Sequence, residues 1–202
     1  MRIKERFTDS RPVKEQVTSG LLITAKTLLA IFTGGALAGG LAVLRTPETI
    51  RPDSFVGRYP LTPWACVIVA TLILIFTIDR WVTILPGILG YGTLGGLIML
   101  ASGHYGKMNI PRPIALALTL YSIAGTGLTL SFARRPLTLI DRVALLAFVF
   151  CLAFSITPDT FAMTVALGIG VAFLLTAWAV DRIPGHYGND GLRKSRHAAD
   201  GR

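Results

Sequence analysis

Six long apolar runs dominate the chain and leave it little choice of fold. They cover residues 20–44, 61–78, 82–102, 114–133, 137–157 and 161–180. Crossing a bilayer core takes about 20 apolar residues in helical form. An open, non-helical backbone is excluded there, because its unpaired amide groups would face hydrocarbon. The chain therefore reads as an all-α integral membrane protein, a bundle of six transmembrane helices. Composition agrees: 52% of the 202 residues are hydrophobic and 15% charged, against about a quarter charged in a soluble globule.

The residues divide into a basic segment at 1–19, a membrane domain at 20–183 and a basic tail at 184–202, the tail expected to be disordered. The net charge of +9 is spread over tails and short loops, so nucleic acid is not an expected partner. The lipid bilayer is the expected one, with other membrane subunits or a second copy as further candidates. Cys66 and Cys151 both lie in apolar runs, which suggests neither a disulfide framework nor a zinc motif.

Orientation follows from the basic residues of short loops. With the amino terminus inside, the outer loops hold only Arg45, Arg51, Arg58, Lys107 and Arg112, while Lys26 snorkels from the first run and all other basic residues lie inside. Both termini are thus expected in the cytoplasm, and a bacterial cytoplasmic membrane is the expected location. Tyr59, Trp64 and Tyr105 would mark the outer interface, and Trp81, Trp178 and Tyr187 the inner one. A second reading of the start takes residues 1–38 as a cleaved signal peptide.

Local signals refine the spans. Thr62-Pro63 and Thr157-Pro158 each place a capping hydroxyl before a proline suited to a first helical turn. The short turn at 157–160 makes the fifth and sixth spans a tight antiparallel hairpin. Pro86 and Gly87 suggest a kink or an early unwound turn in the third span. The tetrapeptide Gly-His-Tyr-Gly occurs at 103–106 and again at 185–188. Each copy closes a group of three spans, which suggests two inverted three-helix halves.

Candidate site residues fall into three groups. Asp79-Arg80, Asp141-Arg142 and Asp181-Arg182 all lie at the expected inner edge. They read as a ring of interfacial ion pairs in preference to a metal site, because each aspartate sits beside an arginine. His104, Tyr105, Glu48, Asp53 and Asp159 form a possible outer polar cluster, scattered over three loops. Gly35 and Gly39, with Gly92 and Gly96, have the four-residue spacing that lets helix backbones approach closely. Ala36 and Gly40 share that spacing.

No cofactor or metal is expected. The runs lack Asn and Gln from residue 27 to 102 and from 114 to 180, and no carboxylate lies at mid-depth to couple transport to protons. His104 as an axial haem ligand would lack a second histidine on its face. Ser102-Gly103-His104, Lys107 with Arg112-Pro113, and Ser195-Arg196-His197 are similar to fragments of membrane phosphatidate-type phosphatases. Their order and spacing differ, and the third would lie on the opposite side from His104, so the resemblance is rejected.

The leading expectation is a non-enzymatic structural or accessory membrane component, or one that binds an apolar ligand. An uncoupled small-solute channel or transporter, built from the two inverted halves and lined by hydroxyls, is the alternative. A membrane enzyme using His104 and the outer acids ranks third.

Overall fold

The computed structural model describes residues 13–103, 110–156 and 159–183. The residues described form helices and connections only. They run in the order α1 (Val13–Arg45), a 3-10 turn (Pro47–Thr49), α2 (Phe55–Arg58), α3 (Thr62–Ser102), α4 (Arg112–Ala133), α5 (Leu139–Phe154) and α6 (Thr160–Arg182). Four helices are long and apolar enough to cross a membrane: Val17–Arg45, Thr62–Ser102, Arg112–Ala133 and Thr160–Arg182. These four are compatible with a membrane location. The expected tails at 1–12 and 184–202, both Gly-His-Tyr-Gly motifs beyond Gly103, and the turn Thr157-Pro158 lie outside the described residues.

The main departure from expectation is α3. Residues 61–78 and 82–102 were expected as separate antiparallel spans, yet they form one helix of 41 residues. Nothing at Ile78–Val82 forces a turn: Asp79 and Arg80 are tolerated in a helix interior, and no glycine, asparagine or proline interrupts it there. The helix also continues through Pro86 and Gly87, although proline leaves the carbonyl four residues earlier without its usual donor. The halves of the chain therefore differ in topology. In the first, the second and third runs are collinear; in the second, α5 and α6 fold back on each other. Two equivalent inverted triplets are not what the helices form.

Helix starts are set by side chains. Thr138 caps α5, accepting from the Asp141 amide, while Asp141 accepts from the Thr138 amide. This reciprocal arrangement satisfies two otherwise orphan donors. Asp159 caps α6 by accepting from the amides of Phe161 and Ala162. At α3 the cap position is Leu61, without a side-chain bond, so the Thr62 hydroxyl is not the expected cap. α5, at 16 residues, spans about 24 Å and falls short of a bilayer core of about 30 Å.

Packing places α1 against α3, α4 against α3, and α5 against α6, with α4 also touching α6 and α1 crossing α5. The core runs through Leu37, Leu74, Leu85, Phe132, Phe148 and Leu174. Large apolar side chains remain exposed around it, Phe76 and Tyr91 among them, as lipid-facing surfaces do. A side chain at Gly35 or Gly39 would meet nothing within 4 Å. The close approaches on α1 are made instead by Gly34, against the Trp81 ring, and Gly40, against Val67. On α3, Gly92 faces Ser122, and Gly96 lies so near Thr119 that a Cβ would overlap it. Trp81 is 5% exposed; it is a core residue, not a member of an interfacial belt.

Candidate functional site

Two features stand out: a network of ion pairs and an apolar cavity.

The network begins at Asp141, in the first turn of α5, whose side chain is 1% exposed. Oδ1 accepts from Arg135 at 3.0 Å. Oδ2 accepts from the Thr138 amide at 2.9 Å and its hydroxyl at 2.8 Å. The other arm of Arg135 pairs with Asp181 in the last turn of α6, and its guanidinium lies 5.2 Å from the Phe132 ring centroid. Arg142 reaches Asp79 of α3 at 3.4 Å. The three aspartates therefore tie α3, α5, α6 and the α4–α5 connection together.

None of the three is paired with the arginine that follows it in sequence. Arg182 lies instead over the Trp178 ring, 4.5 Å from its centroid. Arg80 and Arg134 have no side-chain partner among the described residues. Arg135 was not singled out from the sequence, because nothing local reveals that it will serve two helices at once. The Thr138/Asp141 capping pattern was legible and marks where α5 begins.

Chemically the network is closed. A carboxylate offers about four acceptor positions, and Asp141 uses three of them on protein donors. Burial of a charge is tolerable when it is paired and hydrogen-bonded in this way. Asp79 and Arg142 are about half exposed, with side chains at 56% and 48%, and such pairs hold little energy. Among the described residues no group of His, Cys, Asp or Glu could hold a metal ion.

The outer residues do not assemble. Glu48 lies in the 3-10 turn and Asp53 in the loop before α2, neither with an ion pair among the described residues. Asp159 is committed to the α6 cap. His104 and Tyr105 lie outside the described residues.

Hydroxyls in the interior are also committed. Thr33, Thr77, Thr119, Thr129 and Ser155 are buried. Each donates to a carbonyl of its own helix, at 2.6 to 3.1 Å. Such back-bonding satisfies a hydroxyl in an apolar setting, and among the described residues it leaves no buried hydroxyl proton free to line a solute path.

The cavity lies between α1, α3 and α5 and has a volume of about 300 Å³; it is one of several apolar hollows, and those at α1/α3 and α5/α6 are larger, about 450 and 500 Å³. Gly34, Gly35 and Ala38 form its α1 wall, Trp81 and Ile84 its α3 wall, and Val149 is one of its α5 residues. The glycines make the space: the missing side chain at Gly34 lets the indole of Trp81 lie against α1, and Gly35 leaves open volume beside it. The Trp81 Nε1–H is buried and has no acceptor among the described residues. An orphan donor of this kind costs about 1–3 kcal/mol.

No family model matches the chain, and no curated protein or solved structure does either.

Proposed function

We propose that the chain is a six-crossing membrane protein without catalytic activity, which holds an apolar molecule between α1, α3 and α5. The cavity of about 300 Å³ carries this reading. It is at the lower end of the range of small-molecule sites, about 300–1,000 Å³, and like them is lined by apolar groups with few polar ones. The described acids that might do chemistry are occupied in caps and ion pairs or scattered over loops, which supports a binding role over an enzymatic one.

Six crossings require α3 to turn at Asp79–Arg80 once it is in lipid, with the cavity wall from Trp81 to Ile88 kept together on the segment that follows. They also require α5 to cross together with residues flanking its 16-residue helix. At 41 residues α3 extends about 62 Å, twice a hydrocarbon core of about 30 Å. Both halves are apolar, and both expose large side chains such as Phe76 and Tyr91. Three cross-helix pairings support this arrangement. Arg45, closing α1, donates to the Phe154 carbonyl at the end of α5; both lie outside in a six-crossing scheme. Arg142 and Asp79, and Arg135 and Asp181, pair residues that all lie inside. In this scheme both termini are cytoplasmic.

The binding role is tested by extracting the purified full-length protein with organic solvent and comparing it with Gly35→Leu by mass spectrometry. A Cβ at Gly35 meets nothing within 4 Å, and Gly35 lines the cavity, so a leucine there projects into the space an occupant would use. An apolar species retained by the wild type and lost from the variant is expected. Identical extracts would contradict the reading.

A further inference from the structure

We propose that the loop between α1 and α3 is a membrane-surface anchor, whose aromatic turn at Phe55–Tyr59 lies in the lipid headgroup layer instead of projecting into water. This goes beyond the ligand reading above and is independent of it. It needs only that α1 and α3 sit in a bilayer, whether α3 crosses once or twice.

The turn is a built structure. The Ser54 hydroxyl donates to the Arg51 carbonyl at 2.6 Å and accepts from the Gly57 amide at 3.1 Å. The Arg58 amide donates to the Ser54 carbonyl, Tyr59 to Phe55 and Thr62 to Tyr59. At Gly57 a Cβ would overlap the carbonyls of Arg51 and Pro52, so the chain closes tightly there. The outcome is a fixed pair of rings, Phe55 and Tyr59, with centroids 5.1 Å apart.

The rest of the chain does not cover those rings. Phe55 is 67% exposed and Tyr59 59%, although local bonds hold both in place. A turn that orders two aromatic side chains and leaves them bare gains nothing from that order in water. Exposed apolar groups gathered in this way mark a contact with a membrane or a partner.

Continuity selects the membrane. Exposed side chains continue from the turn onto α3 at Leu61, Trp64, Ile68 and Leu72, a spacing of three or four residues that keeps them on one helix face. That face belongs to a helix long and apolar enough to cross a bilayer. The loop begins directly after α1 and ends directly before α3, so both its ends are held near the bilayer surface. Aromatic side chains, above all those with a polar tip, favour that depth.

Charge settles which contact carries the association. Arg51 and Arg58 are exposed, and so are Glu48 and Asp53, so the two signs balance. Arg45 is occupied by the ring and carbonyl of Phe154. Apolar contact, with no preference for anionic lipid, is therefore what holds the turn at the surface.

The test uses the full-length protein with Cys66 and Cys151 replaced by alanine, carrying a nitroxide label at Phe55→Cys, Tyr59→Cys or Asp53→Cys. Phe55 and Tyr59 are exposed, so a label at either leaves the core intact, and each variant keeps the other ring. In vesicles of palmitoyl-oleoyl phosphatidylcholine, electron paramagnetic resonance measures the access of oxygen and of a water-soluble nickel chelate to each label. Labels at 55 and 59 are expected about 5–10 Å into the headgroup and acyl boundary, and the label at 53 in water. Replacing part of the lipid by phosphatidylglycerol should leave these depths unchanged.

Nickel access at 55 and 59 equal to that at 53 would overturn the anchor. Labels shielded from both oxygen and nickel would overturn it too, because a protein partner or a second copy would then cover the turn. A depth reached only with phosphatidylglycerol would contradict the apolar basis. None of these results bears on the extraction of Gly35→Leu, so the cavity reading stands or falls separately.

Discussion

Arg135 holds Asp141 and Asp181 at the same time, one arm of the guanidinium on each. A single side chain in the α4–α5 connection thus fixes the start of α5 to the end of α6. The pairing is more than a surface contact, because Asp141 is buried and its remaining bonds come from the Thr138 cap.

Asp141→Ala removes the acceptor for Arg135 and half of the capping box together. A loss of about 3 kcal/mol is expected, in line with breaking a buried pair and losing a cap interaction. Thermal unfolding in detergent, followed by circular dichroism, measures it. A change under about 0.5 kcal/mol would show that the α5 start is held by packing alone.

Asp79→Ala should behave differently. Its partner Arg142 is 3.4 Å away and both side chains are about half exposed, so solvent screens the pair. The expected cost is at most about 0.5 kcal/mol. A double-mutant cycle with Arg142→Ala should give a coupling of the same small size, falling further at high salt.

The two neighbouring glycines Gly95 and Gly96 should respond oppositely to alanine. At Gly96 a Cβ would overlap Thr119, whose hydroxyl is bonded to Ala115 at 2.8 Å and whose branched side chain cannot swing away. Gly96→Ala should destabilise by about 1–3 kcal/mol, the usual cost of overpacking. At Gly95 nothing lies within 4 Å, and alanine should stabilise the helix by about 0.5–1 kcal/mol. Unfolding midpoints of the two variants decide the matter.

Much of the helical frame was legible in sequence. The apolar runs at 20–44, 114–133 and 161–180 correspond to α1, α4 and α6 to within a few residues at most ends, because length and hydropathy alone fix a membrane-type helix. The continuity of α3 was not legible: a charged dipeptide between apolar runs resembles a loop, although neither residue breaks a helix. Packing register was lost for a similar reason. Gly34, Gly35, Gly39 and Gly40 all offer small surfaces, and which pair meets α3 depends on the rotation of α1. The double role of Arg135 and the burial of Trp81 arise from tertiary contacts that no local pattern encodes. By contrast, the Thr138/Asp141 spacing does encode the α5 start, and there the hydrophobic run alone had placed it two residues early.

The six-crossing account turns on the two ends of α3. In a protein with Cys66 and Cys151 replaced by alanine, single cysteines at Arg58, Arg80 and Ser102 can be labelled in intact cells with a membrane-impermeant maleimide. The account predicts that the cysteines at 58 and 102 react from outside and that the one at 80 reacts only after permeabilisation. Labelling at 58 and 102 from opposite sides would mean that α3 crosses once, and would contradict it.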